Sequence, residues 1–203
     1  MVIINHIKMK TTARDFSLEL NENPIPEVAQ RINWYQEKFN TVPNLGRLLE
    51  SAPATLLSYV DTQNYLAEFG TLSPEENNIV QMTIAVENAC AYCAGGHTFA
   101  GEVLFNSNPD DLNEIINKQK LSNEKFNVLH EFTKDIYNKK GRVSDASLQN
   151  FFDAGYTKPQ ALDVITNIAA KVLSNFANQL AMNIPDEMFA EISNNLNYDT
   201  NYR

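Results

Sequence analysis

The sequence contains few residues of several kinds. Its 203 residues include two cysteines, three histidines, seven glycines and eight prolines. So few cysteines cannot form the disulfide framework of a small secreted protein, and the low glycine and proline content excludes a collagen-like or low-complexity chain. No stretch approaches the roughly 20 apolar residues that a membrane-spanning helix needs. We therefore expect a globular protein that is large enough to bury a hydrophobic core.

Basic residues are scarce relative to acidic ones. The chain has 16 lysines and arginines against 25 aspartates and glutamates, a formal net charge of −9. Such a surface repels phosphate backbones and anionic lipids, which argues against nucleic acid and membrane surfaces as partners. The apolar residues Val2, Ile3 and Ile4 give way to polar residues almost at once, unlike the start of a secretory signal. These features predict a cytoplasmic protein.

Apolar residues recur at helical spacing through most of the chain, and no alternating strand pattern of useful length is found. Ser73-Pro74-Glu75-Glu76 is typical of a helix start, because Ser73 can cap the helix and Glu76 can complete a capping box. The pattern predicts one all-α domain, a helical bundle over residues 23–203, preceded by an N-terminal arm of residues 1–22. We expect this arm to be exchanged between subunits.

A second capping-box pattern, Thr157-Lys158-Pro159-Gln160, precedes the most apolar helix. The apolar residues of this helix keep a period of 3.6, which predicts that the helix is largely buried. These residues are Leu162, Ile165, Ile168, Ala169, Val172, Leu173, Phe176 and Leu180.

The two cysteines form the motif Cys90-Ala91-Tyr92-Cys93, and His97 follows four residues later. If Cys90 opens a helix, the two sulfurs are neighbours that can form a disulfide, and the helix N-terminus favours a thiolate. His97 lies one turn further on and can accept the thiol proton of Cys93. The spacing predicts that Cys93 attacks a peroxide and becomes a sulfenic acid. Cys90 then resolves it to a disulfide, which a dithiol partner reduces.

Other interpretations of the motif remain open. The cysteines can be two small buried side chains beside a surface histidine. A structural zinc site needs a fourth ligand, and the remaining histidines, His6 and His130, carry no local ligand signature. Gly95 and Gly96 leave room for a substrate near Cys93, or allow close packing against another helix.

These residues resemble the carboxymuconolactone decarboxylase-like superfamily, in particular its alkylhydroperoxidase D-like branch. The resemblance begins at Leu72-Ser73-Pro74 and continues through Val86-Glu87-Asn88 to the cysteine motif and His97-Thr98. It extends to Gly141-Arg142-Val143-Ser144, Ala154-Gly155-Tyr156 and Ser174-Asn175-Phe176, with Asn178 and Leu180. Together the matching residues lie between about residues 43 and 189.

The resemblance implies an all-α fold, usually assembled as a homo-oligomer, and a thiol-dependent peroxidase or disulfide reductase without bound metal, flavin or other cofactor. It also implies that Cys93 is peroxidatic, that Cys90 is resolving and that His97 belongs to a proton relay. The implied partners are a small peroxide or disulfide substrate and a dithiol reductant protein. Relatives with the full relay have a glutamate twelve residues before the first cysteine, where this chain has Asn78. The alternatives are a redox-sensing or structural oligomer with little turnover, and a lactone decarboxylase-type enzyme.

Overall fold

The computed structural model describes residues 16–196 and residue 198. This part of the chain forms ten α-helices and one short 3-10 turn and contains no strand, which confirms the predicted all-α fold. The helices are α1 (Pro26–Phe39), α2 (Asn44–Glu50), α3 (Pro53–Phe69), α4 (Pro74–Glu87), α5 (Ala91–Leu104), α6 (Pro109–Ile116), α7 (Glu124–Lys139), α8 (Asp145–Asp153), α9 (Lys158–Ala181) and α10 (Ala190–Asn195), with the 3-10 turn at Glu187–Phe189.

Helix α4 lies at the centre of the bundle and packs against α5, α6, α7 and α9. Its residues from Asn78 to Val86 are all buried, so the helix has no solvent face along this length. The predicted capping box is present: the Ser73 hydroxyl accepts from the Glu76 backbone N–H at 3.1 Å, and the Glu76 carboxylate accepts from the Ser73 N–H at 2.9 Å. This start fixes where the central helix begins and therefore where Asn78 lies.

Helix α9 is oriented differently from the prediction. Its buried side is polar and includes Asn167, Lys171, Asn175 and Asn178. Much of its apolar side is exposed, since Leu162, Phe176 and Leu180 are 66%, 53% and 60% exposed, and Ile165 is exposed too. The prediction that the apolar face is largely buried is therefore wrong for the single chain. The helical period gives the faces of a helix, but the buried polar network decides which face turns inward.

The predicted arm is only partly within the described residues, because residues 1–15 lie outside them. Residues 16–22 contain no helix or strand and lie along α2, where the Arg47 guanidinium donates to the Leu18 carbonyl at 3.5 Å and the Glu50 carboxylate accepts from the Asn21 N–H at 3.4 Å. The exchange of the arm between subunits stays a prediction. No helix in the described part of the chain is long and apolar enough to cross a membrane.

Candidate active site

The cysteine motif lies where α4 ends and α5 begins. Ala89 has a positive φ of 52°, which turns the chain between the two helices. Cys90 is the N-cap of α5, and Cys93 lies in its first turn, as the sequence predicts. Both cysteines are free and buried, and each thiol shifts the pKa of the other. The structure therefore brings the predicted dithiol together in its reduced form.

The surroundings of Cys93 favour its thiolate. Burial by itself raises the pKa of this thiol, but the hydrogen bond from Cys90, the positive charge of Lys171 and the amides of Asn178 and Asn175 lower it to about 6. The Asn178 amide donates to the Cys93 sulfur at 3.1 Å, and Asn183 donates to the Asn178 amide oxygen at 2.8 Å, which fixes the direction of that amide. Cys93 is thus the better nucleophile at neutral pH.

The surroundings of Cys90, in contrast, favour its protonated thiol. Its hydrogen bond to Cys93, its burial and the nearby charge of Cys93 raise the pKa of the Cys90 thiol well above its ordinary value. A protonated thiol that donates to a neighbouring sulfur suits a residue that reacts second. The environment of the two cysteines therefore shifts the pKa values of the two thiols in opposite directions, although they lie only three residues apart.

His97 lies in the site, but both nitrogens of its ring bind groups other than Cys93. Its Nδ1 is 2.7 Å from the Asn78 amide oxygen, and its Nε2 is 2.7 Å from the Lys171 ammonium. Burial and the charge of Lys171 hold the pKa of His97 well below its ordinary value. No hydrogen bond joins His97 to Cys93 in the described part of the chain, so the direct contact predicted from their spacing is not formed, and the Nε2 of His97 binds Lys171 instead.

Lys171 is the residue that the sequence analysis missed. It extends from α9 and is 2% exposed. Burial by itself lowers its pKa, but Tyr59, Cys93 and Cys90 raise the pKa of this ammonium above its ordinary value. One signal could have revealed it: Lys171 is the one charged residue between Asp163 and Asp186.

A cavity of about 560 Å³ opens beside these groups. Cys93, His97 and Lys171 line it, whereas Cys90 does not. Most of the remaining wall is apolar and aromatic, and includes Tyr35, Phe39, Tyr59, Phe99 and Phe189. A molecule in this cavity would lie beside Cys93 against a mostly apolar wall, with His97 and Lys171 as polar groups.

The C-terminal segment closes the other side of α5. Helix α10 packs on α5, and a side-chain carbon on Gly95 would lie 2.1 Å from the Ser193 hydroxyl. A carbon on Gly96 would lie 3.6 Å from Phe189, which is ordinary contact. Gly95 therefore serves helix packing, while Gly96 lines the cavity. The Tyr92 hydroxyl donates to Asp186 and so ties the segment to α5.

Residues 16–196 and 198 contain no group of three histidine, cysteine, aspartate or glutamate side chains that could hold a metal ion. His130 is buried and its Nδ1 lies 2.8 Å from the Thr83 hydroxyl. His6 lies outside the described residues. The site described above therefore consists of thiol, amine, imidazole and amide groups.

Solved structures with the same architecture exist. An uncharacterized peroxidase-related protein from Ralstonia eutropha JMP134, described as an alkylhydroperoxidase AhpD core, superimposes with a TM-score of 0.73 at 21% identity over 86% of this chain and 97% of that chain. The chain has the alkylhydroperoxidase D core fold. A peroxidase-related protein from Silicibacter sp. TM1040 shares this fold with a TM-score of 0.71 at 19% identity, over 90% of this chain and 95% of the other.

The alkylhydroperoxidase D core fold also occurs in a protein with another activity. The debrominase Bmp8 superimposes with a TM-score of 0.67 at 13% identity, over 83% of this chain and 91% of that one. A variant of Bmp8 has been solved with 2,3,4-tribromopyrrole. No protein-family model and no curated protein matches the sequence. These likenesses establish the fold, and the chemistry of the site carries the functional argument.

Proposed function

We propose that this protein is a thiol-dependent peroxidase or disulfide reductase of an antioxidant system. One observation carries the proposal: Cys93, whose pKa is lowered to about 6, lines an apolar cavity, while Cys90 lies outside the cavity and is hydrogen-bonded to Cys93. Cys93 can therefore contact a substrate in the cavity, whereas Cys90 can react only with Cys93. This division matches a peroxidatic and a resolving cysteine.

The reaction requires two steps on the protein. The Cys93 thiolate attacks the terminal oxygen of a hydroperoxide, the O–O bond breaks, and Cys93 becomes a sulfenic acid while the alkoxide leaves and is protonated. The Cys90 thiol then attacks the Cys93 sulfur, and the sulfenic oxygen leaves as water with the thiol proton. A dithiol reductant protein restores both cysteines by exchange. His97 has a positioning role in this proposal rather than the predicted role of proton acceptor, because its Nε2 binds the Lys171 ammonium.

Steady turnover tests whether the protein is an enzyme or a redox sensor. With cumene hydroperoxide and a dithiol donor in excess, we expect continuous donor oxidation that is lost in Cys93→Ser. In Cys90→Ser the first oxidation remains, but the disulfide cannot form, so the two variants act as controls for each other. A single oxidation without further turnover would favour the redox-sensing alternative.

A second candidate is the reductive removal of bromine from an apolar aromatic compound. The apolar cavity beside Cys93 favours this alternative, as does the likeness to the debrominase Bmp8. The same dithiol would supply the two electrons and become a disulfide. Two assays on the reduced protein separate the two candidates. One measures bromide released from 2,3,4-tribromopyrrole, and the other measures oxidation of the protein thiols by cumene hydroperoxide.

We also propose that the chain forms a homo-oligomer through the exposed face of α9. From residue 164 to residue 185 the only charged residue is Lys171, and it is buried. Two copies with a net charge of −9 each repel one another over most of their surface. The exposed face of α9 carries no charge over this range, so this repulsion is weakest there. An uncharged apolar face on an acidic protein fits a second copy of itself.

A further inference from the structure

Within the part of the chain that the structure describes, no carboxylate pairs with the buried ammonium of Lys171. None of the ion pairs within residues 16–196 and 198 includes it. Its neighbours are the His97 ring at 2.7 Å and Tyr59, whose ring centre lies 5.8 Å away. Removing a cation from water costs several kcal/mol unless an opposite charge compensates for it. The groups whose negative charge would stabilise this ammonium are Tyr59, Cys93 and Cys90, and of the two thiols it is Cys93 whose pKa is lowered, to about 6.

The hydrogen bonds around His97 fix its proton. The Asn78 amide nitrogen donates to the His97 backbone carbonyl at 3.1 Å, so the Asn78 amide oxygen must face the ring. An amide oxygen only accepts, and Nδ1 must therefore carry the ring proton. Nε2 is left as an acceptor and binds the Lys171 ammonium. His97 consequently has no proton to give on the side of Lys171, and it orients the ammonium instead.

We propose that Lys171 is a catalytic residue of this site, the counter-ion of the Cys93 thiolate and the proton donor to the oxygen that leaves when the peroxide bond breaks. The donor role rests on the proposed peroxidase function, whereas the counter-ion role does not. Lys171 and Cys93 line the same cavity, so a peroxide bound there lies beside both side chains. His97 and Asn78 are positioning residues in this account.

The protons balance over the cycle. The thiolate sulfur forms a bond with the terminal oxygen of the hydroperoxide, and the alkoxide takes a proton from Lys171 to leave as an alcohol. Cys90 then forms the disulfide and releases water. When a dithiol reduces the disulfide, one of its protons stays on Cys90 and the other passes from Cys93 to the neutral amine of Lys171. The ion pair between thiolate and ammonium is then restored.

The counter-ion role is tested without peroxide. The thiolate of Cys93 is titrated by its ultraviolet absorbance in a Cys90→Ser background, with and without Lys171→Met. We expect Lys171→Met to raise the titration midpoint to at least the value of about 8.5 of a free cysteine, and to slow alkylation near neutral pH in proportion to the lost thiolate. Lys158→Met removes a charge from an exposed position on the same helix and should leave the midpoint unchanged. An unchanged midpoint in folded Lys171→Met would overturn the proposal.

The proton-donor role is tested at high pH, where Cys93 is a thiolate in both proteins. There we expect Lys171→Met to react with cumene hydroperoxide at least about tenfold more slowly than the parent. In Lys171→Ala, added ethylamine should restore much of the rate, since its ammonium fits the space that the side chain leaves. Equal rates for Lys171→Met and the parent, or no rescue by the amine, would overturn this role. Absence of any peroxide reaction in the parent would instead refute the proposed function and leave the titration result standing.

Discussion

The His97 ring lies between Asn78 and Lys171, with both of its nitrogens 2.7 Å from their partners. The resemblance noted in the sequence implies a glutamate at the position of Asn78. An amide at this position holds the ring but cannot exchange a proton with it. In our proposal Lys171, on the other side of the ring, supplies the charge and donates the proton. A glutamate and a histidine would otherwise do this together. Asn78 and Lys171 together explain how the site can work without a glutamate.

His97 should stay neutral at all ordinary pH values, because burial and Lys171 hold its pKa well below its usual range. We expect its ring proton signals, followed by NMR, not to titrate between about pH 5 and 8. Asn78→Asp places a carboxylate beside Nδ1 and should raise the pKa of His97, since a nearby negative charge favours the imidazolium. A wild-type midpoint near 6.5 would contradict the hydrogen-bond assignment.

The reduced protein should become more stable as the pH rises from about 6 to about 8.5. The pKa of Cys93 is lowered to about 6 in the folded chain, against about 8.5 in an unfolded one. Between these values the unfolded chain binds more protons, so the folded state gains stability with rising pH and loses it as the pH falls through 6. We expect a gain in the free energy of unfolding on the order of 2 kcal/mol, measured by urea unfolding under reducing conditions.

Cys93→Ser is the control for this pH dependence. Serine does not ionise in this range, so the part of the increment due to Cys93 should disappear. The pKa of His97 is lowered as well, so this residue also makes the folded state more stable as the pH rises. Its contribution lies at pH values below about 6.5, where the imidazole of the unfolded chain titrates. An equal increment in Cys93→Ser and in the wild-type protein would show that the Cys93 thiol is not perturbed.

Gly95→Ala and Gly96→Ala form a matched pair on α5. The added carbon at position 95 would lie 2.1 Å from the Ser193 hydroxyl and 3.0 Å from the Ser193 backbone nitrogen, so α10 has to move. We expect a loss of about 1–3 kcal/mol in the free energy of unfolding. At position 96 the nearest atom would be 3.6 Å away, and the better helix propensity of alanine should stabilise the protein by up to about 1 kcal/mol. Thermal unfolding of both variants measures this difference. Equal stabilities of Gly95→Ala and Gly96→Ala would refute the packing of α10 on α5.

Phe176→Asp tests the apolar face of α9. The side chain is 53% exposed in the single chain, so an aspartate there should not disturb the fold. In an oligomer it would place a buried charge at the contact, and we expect the association constant to fall by at least about 100-fold. Ile25→Asp, at a residue that is 52% exposed at the start of α1, is the control. A monomeric wild-type protein in sedimentation velocity would refute the assembly itself.

The sequence was sufficient to predict the fold class, most helix starts and the position of both cysteines at the start of a helix. Capping residues such as Ser73 act locally, and the spacing of Cys90 and Cys93 determines that their sulfurs meet once a helix begins there. The sequence was not sufficient to predict which face of α9 is buried. A period of 3.6 does not distinguish an apolar face that packs against the core from one that is exposed in the single chain. The buried polar residues of that helix bind groups distant in sequence. Lys171 contacts His97, 74 positions away, a relation that no local pattern contains.

The central claim is that Cys93 reacts with a peroxide and that Cys90 resolves the product. The most direct measurement is a count of free thiols in fully reduced protein, before and after one equivalent of cumene hydroperoxide. We expect rapid loss of both thiols in the wild-type protein and retention of the single remaining thiol in Cys93→Ser. In Cys90→Ser, Cys93 should be oxidised to a sulfenic acid that a dimedone reagent traps. Survival of both thiols for hours at neutral pH would contradict the account.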